Sequence, residues 1–227
     1  MNEQLRLIAL LFPIEIWHTL YMVVISTCIA LLVGIPLGVV LTVTERGHLK
    51  ESPWFNRMLG IIVNVGRSFP FAILLVALIP FPRWIVGTSL GTTAAIVPLS
   101  IAAIPFMARL AENSLKEVDR GVIEAAIVMG STPWQVIVKV LIPEALPSLI
   151  LAATTTAINL IGYSAMAGTM GGGGLGKIAI QYGYQRFDFW LMAATVLVLI
   201  LLVQSVQALG HALAKHIYLK RGKGLQP

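Results

Sequence analysis

Five apolar stretches, about Thr19–Val43, Met58–Ile79, Gly91–Met107, Ala145–Ala167 and Trp190–Leu213, restrict what this chain can fold into more than any other feature. A helix needs roughly 20 apolar residues to cross about 30 Å of hydrocarbon. Unpaired amides in lipid are so costly that a spanning backbone of this kind must be helical. The stretches therefore predict an all-α integral membrane protein with five transmembrane helices. Neighbouring spans form one body, so residues 1–227 are expected to be a single transmembrane domain. Composition agrees: the chain is 57% hydrophobic and 11% charged, where a soluble domain carries about 25% charged residues.

The net charge of +6 would suggest nucleic acid in a soluble protein. Here the basic residues concentrate in alternate loops, which is an orientation signal. Thr44–Arg57, Arg109–Glu144 and the C-terminal tail hold Arg46, Lys50, Arg57, Arg109, Lys116, Arg120, Lys139, Lys215, Lys220, Arg221 and Lys223. The opposite set holds only Arg6, Arg83, Lys177 and Arg186. This predicts a multi-pass protein of the cell inner (plasma) membrane, in contact with lipid and not with nucleic acid, with the N-terminus outside and the C-terminus in the cytoplasm. The start, Met1 to Arg6, lacks a strong basic cluster, so the first span is expected to be retained. Cys28 stands alone in an apolar stretch, and His18, His48, His211 and His216 share no ligand geometry. No catalytic or metal-binding constellation is expected.

Arg109–Glu144 is the longest polar stretch. Asp119 is a fitting N-cap for a helix running to Met129, and Gly130 suits the left-handed position past its end. Thr132 caps a second helix, with Pro133 in its first turn and Gln135 three residues on as in a capping box. Pro143 is expected to end that helix near Ile142. Val122, Ile123, Ile127, Val128 and Trp134 exceed what a solvated connector needs, which predicts burial of some against the membrane domain and contact of others with a partner.

The pattern Glu124-Ala125-Ala126, Gly130, Val140-x-Ile142-Pro143 resembles the EAA loop of importer permeases in the ATP-binding-cassette (ABC) superfamily, with two conservative aliphatic departures. Arg67–Phe71, Ile85–Ser89, Gly130–Pro133, Pro143–Pro147, Gly162–Gly168 and Gln181–Tyr184 are similar to methionine importer permeases. The resemblance implies that Glu124, Ala125, Ala126, Gly130, Ser131, Thr132, Pro133 and Trp134 form a cytoplasmic coupling helix-turn-helix seated in a groove of an ATPase. It also implies a homodimer with the solute path between its copies, two cytoplasmic ATPase subunits and an external solute-binding protein. ATP and magnesium would be used by the ATPase, with no cofactor on this chain. An importer of another amino acid or an osmolyte shares the loop. A secondary transporter would want paired charges near mid-membrane, which the spans lack apart from Arg67, and a channel or scaffold needs no large cytoplasmic surface.

Gly171-Gly172-Gly173-Gly174-Leu175-Gly176-Lys177 formally matches two nucleotide motifs. However, Ile178 stands where the phosphate loop needs Ser or Thr, and no α/β context surrounds it. The glycines are expected to make a tight turn. Gly34, Pro36, Gly38, Pro70 and Pro98 in the spans fit either close packing or hinges. Asn64, Ser68, Thr154, Thr155, Thr156, Asn159, Tyr163 and Ser164 fit either interhelical hydrogen bonds or a weakly polar path. Met166 is the gate candidate, since a flexible apolar side chain can close a pore and exclude water. Arg67 fits either a cavity or snorkelling to water. Glu15 and His18 are expected at the interface near the outer mouth.

Overall fold

The computed structural model describes residues 2–220, with side chains from Leu10 onward. Arg221, Lys223 and the tail as far as Gly224, and the side chain of Arg6, lie outside the described residues. Ten helices carry the fold: α1 (Asn2–Val43), α2 (Pro53–Ser68), α3 (Phe71–Ala77), α4 (Pro80–Val86), α5 (Thr92–Lys116), α6 (Arg120–Val128), α7 (Pro133–Val136), α8 (Ile142–Ala167), α9 (Leu175–Ile178) and α10 (Phe189–Lys220). Wider π-type turns occupy Ile137–Leu141, Gly168–Gly172 and Ala179–Tyr184. No strand occurs among the described residues.

Among the described residues four helices are long and apolar enough to cross a membrane: Leu10–Val43, Thr92–Lys116, Pro133–Gly172 and Phe189–Lys220. In place of a straight second span, α2 and α3 are apolar enough only as a pair and meet at 95°, the form of a broken span or a re-entrant loop. Pro70, extended at φ −59° and ψ 128°, lacks the N–H that would continue the ladder and disfavours helix in the residue before it. Several other boundaries shift outward. The first span begins before Thr19, the third runs nine residues past Met107 to Lys116, and the fifth continues from Leu213 to Lys220. Pro36 and Pro98 sit inside unbroken helices, so they do not mark breaks.

The residues group into two compact units. One comprises the chain to Ile29 with Phe69–Ala103 and Ala157–Gln207; the other comprises Ala30–Ser68, Ile104–Thr156 and the chain from Ala208. In the first, Phe12 of α1, Leu175 and Ile178 of α9, and Leu191 of α10 form a buried cluster joined by Ile16, Tyr182 and Val198. In the second, Leu41, Val63 and Ala108 bring α1, α2 and α5 together. Gly34 and Gly38 settle as packing positions, because a Cβ would come 2.8 Å from that of Met107 at the first and 2.6 Å from that of Ala111 at the second. Removing those side chains lets α1 and α5 approach backbone to backbone.

The helix expected to stop at Pro143 does not stop. Ile142 is helical at φ −64°, ψ −49°, and its N–H donates to the Ile137 carbonyl five residues back. Widening the turn by one residue leaves room for the Pro143 ring, which a regular turn would drive against a carbonyl four residues earlier. α7, the wide turn and α8 thus form one continuous rod.

Candidate functional site

The polar insert folds as its local chemistry dictates. Asp119 Oδ1 accepts from the Gly121 N–H at 2.7 Å and starts α6. At the other end the Gly130 N–H donates to Ile127 O (2.9 Å) and the Ser131 N–H to Ala126 O (3.1 Å). This is the paired closure that satisfies a helix's last carbonyls. It requires the left-handed φ of +83° at Gly130, where a Cβ would meet no atom within 4 Å but would be strained by the backbone itself. Thr132 and Gln135 then cap α7 reciprocally: Thr132 Oγ1 accepts from Gln135 N (3.4 Å) and Gln135 Oε1 from Thr132 N (2.9 Å).

The elbow has an inner and an outer face. Ile123, Ala126, Val136 and Ile137 are buried. Glu124, Ala125, Gly130, Thr132, Pro133 and Trp134 are exposed, and Ser131 is half-buried. The outer apolar surface is large: Val128 is 88% exposed, Met129 81% and Trp134 72%. Such side chains on a polar segment define a contact face. Beside it, His48, Leu49, Arg120, Glu124, Ile127 and Ser131 line a groove of about 340 Å³. Burial holds the His48 imidazole below its ordinary pKa, with Glu45 opposing and Arg120 and Lys116 acting in the same direction as burial.

Immediately before the elbow, α5 ends in an ion network that the sequence reading missed, although Arg109–Glu112 and Glu112–Lys116 stand at i,i+3 and i,i+4 on one helix face. Arg109 donates to Asn64 Oδ1 (2.6 Å) and to buried Glu112 (2.6 Å), while Lys116 bridges Glu112 (2.9 Å) and Glu45 (3.0 Å). Ser148 donates to Glu117 at 2.6 Å. Asn64 is thus the acceptor of an interhelical bond. Ser68, Thr154 and Thr155 instead donate to carbonyls four residues back on their own helices. Thr156 does so too, with Met107 Sδ as a further contact at 3.4 Å. This back-bonding hides hydroxyls in an apolar helix.

The remaining path candidates separate. Ser164 is buried with its hydroxyl on Ile161 O (2.7 Å), and Tyr163 stacks on Phe71 at 4.5 Å and 9°. Thr155, Asn159, Gly162 and Met166 fall at i, i+4, i+7 and i+11, one face of α8. That face is left open: Thr155, Gly162 and Met166 are exposed, Asn159 is half-buried, and a Cβ at Gly162 would meet nothing within 4 Å. Arg67 is exposed in the last turn of α2, beside the 95° break, with its guanidinium 6.0 Å from the Phe106 ring centre.

Glu15 stands near the start of the first apolar helix, Leu10–Val43, where it is buried and pairs with Lys177 at 2.9 Å and with His18 at 3.1 Å. This pair joins the start of one span to a segment outside the long apolar helices, and is not the mid-membrane pairing a secondary transporter would want. The glycine-rich segment is a tight turn as expected, with Gly171, Gly173 and Gly174 all at positive φ.

Residues 34–218 match the family model of the binding-protein-dependent transport system inner membrane component. The chain belongs to this family of multi-pass inner-membrane permeases. Among its relatives, a probable D-methionine transport system permease protein MetI of Vibrio cholerae is 55% identical, over 88% of this chain and 89% of the relative. The protein of the same description from Pasteurella multocida is 49% identical, over 87% and 91%. A solved structure of the MetNI methionine ABC transporter in inward-facing conformations aligns with a TM-score of 0.90 at 47% identity, covering 91% of this chain and 96% of the solved one.

Proposed function

We infer that this chain is the transmembrane permease subunit of an ATP-driven ABC importer of methionine. It is a transport subunit and not itself an enzyme. The observation that carries this reading is membership of the permease family together with near-full-length similarity to D-methionine permeases and to a methionine ABC transporter. The chain works as a homodimer, with two ATPase subunits and a solute-binding protein outside. ATP and magnesium belong to the ATPase, and this chain binds no cofactor of its own. A two-fold dimer matches two identical elbows to two ATPase sites.

The exposed face of Glu124, Ala125, Gly130, Thr132, Pro133 and Trp134, together with Val128 and Met129, seats in the ATPase groove. Ala126 and Ser131 hold the elbow in shape from within. The excess of Lys and Arg in Thr44–Arg57 and Arg109–Glu144 supports a cytoplasmic position for this surface, with the N-terminus outside. When the ATPase pair closes, the elbow moves as a packed body and the spans alternate between inward and outward openings. The open face of α8, with Asn159 and Met166, lines the solute path between the two copies, and Met166 is its gate. Tyr163 and Ser164 support that face from behind, and Arg67 lies at the broken second span.

The test is copurification followed by transport. The permease should bring down a protein with an ATP-binding cassette. The reconstituted complex with its binding protein should take up methionine only with ATP, and competition by L- and D-methionine should identify the preferred enantiomer. Uptake driven by an ion gradient without ATP would overturn the reading. Competition by other amino acids or osmolytes, but not methionine, would overturn the solute.

A further inference from the structure

The helix α9, only Leu175–Ile178, carries no cap of its own: its N-cap residue is Gly174, which has no side chain. Two side chains of α1, nearly 160 positions away, supply what is missing. Glu15 accepts from the Gly174 N–H at 2.6 Å, and Thr19 Oγ1 accepts from the Leu175 N–H at 2.9 Å. The Thr19 hydroxyl donates in turn to the Glu15 carbonyl at 3.0 Å. Lys177 and His18 complete the donors around the carboxylate at 2.9 and 3.1 Å. Both acceptors are nearly inaccessible, Glu15 at 4% and Thr19 at 1%.

What they hold is the return limb of a turn that begins at the end of α8. The chain kinks at Met170–Gly171 and comes back so close that a Cβ on Gly176 would collide with the Ala165 backbone, and one on Gly174 with Thr19. Ala165 and Met166 sit at the last turns of α8, on the other limb.

We propose that Glu15 and Thr19 are positioning residues for transport: together they latch the Gly168–Ile178 turn, and the latch keeps the end of α8 from loosening and leaking solute. The consequence for transport rests on the importer reading. The latch itself rests on the geometry alone.

The experiment separates the two. The full chain carrying Cys28→Ser and Thr169→Cys, spin-labelled at exposed position 169, is placed in lipid nanodiscs without nucleotide, solute or partner. Glu15→Gln and Thr19→Val should raise label mobility, while Thr19→Ser, which keeps the acceptor, should match the parent. Thr19→Val is nearly isosteric and decides the matter should Glu15→Gln fail to fold. In liposomes loaded with methionine and bearing the assembled transporter, passive efflux should rise by about fivefold in Thr19→Val, the scale of one lost neutral hydrogen bond, and by about tenfold or more in Glu15→Gln, where the lost bonds are charge-assisted. In Thr19→Ser it should not rise. A label as immobile in Thr19→Val as in the parent overturns the latch. A loosened label with unchanged efflux overturns its role in transport. A parent complex that never takes up methionine counts against the importer reading and leaves the label result standing.

Discussion

Gly130 offers the sharpest test of the elbow, because its environment isolates a single effect. The space where a Cβ would go is empty to 4 Å, yet φ is +83°, so substitution meets no steric neighbour and only the backbone objects. A non-glycine residue in the left-handed region costs roughly 1–2 kcal/mol. Asn is among the residues that tolerate it best, and a β-branched residue tolerates it worst. The expected order of harm is therefore Asn, then Ala, then Val, with Val at about 2 kcal/mol or somewhat more. If the closed turn is the docking-competent form, the apparent affinity for the ATPase falls with its population. Each 1.4 kcal/mol is about tenfold, so Val should weaken assembly by up to about 30-fold and Asn by only a few-fold. The assay is titration of the detergent-solubilised permease with its purified ATPase, read by native mass spectrometry or by stimulation of ATP hydrolysis. Unchanged assembly in the Val variant would refute the requirement for this turn. Equal loss with Asn and Val would show that bulk at the partner's surface matters and not φ.

Other consequences can be checked more briefly. Thr132→Ala removes one half of the capping box and should destabilise α7 by about 1 kcal/mol, seen as faster amide exchange in Gln135 and Val136. Glu112→Gln strips the shared partner from Arg109 and Lys116; with Lys116 37% and Arg109 23% exposed at the side chain, the cost should be about 2 kcal/mol, below the full buried-pair figure, and visible as a lower unfolding midpoint. His48 predicts a pH effect of known sign. Its folded pKa is lowered by burial, with Arg120 and Lys116 adding to it, so the unfolded chain binds the proton more readily and stability falls as pH drops below about 6.5. His48→Gln should flatten that part of the stability profile, and an unchanged slope would contradict the assignment.

What the sequence disclosed and what it hid divide along the range of the interactions. The elbow was readable because its determinants are local: Asp119, Gly130, Thr132 and Gln135 each act within three or four residues. The all-helical membrane fold was readable because apolar run length is set by the bilayer. The 95° break was half visible, as Pro70 marked the place but not whether the helix would bend or stop. Pro143 misled, because the rule that proline ends a helix presumes a regular turn and the chain supplied a wider one at Ile137–Leu141. Glu15 was legible only in part. Its partners Gly174 and Lys177 lie about 160 positions away, and no spacing links them, so the sequence put it near the end of a span without showing that it is buried and paired. The hydroxyls of Thr154, Thr155 and Thr156 offered two readings between helices, and the carbonyls of their own helix satisfied them first.

The widened turn at Ile137–Leu141 amounts to one surplus residue in an otherwise regular rod. Each residue of the wide turn advances less around the axis than the roughly 100° of a regular helix, so the surplus is taken up inside the turn itself. Deleting one position there would restore ordinary pitch with little change in the azimuth of Trp134, but the Pro143 ring would lose its berth and meet a carbonyl one turn back. The extra residue thus serves the proline, and a one-residue deletion between α7 and α8 should be tolerated far better together with Pro143→Ala than alone.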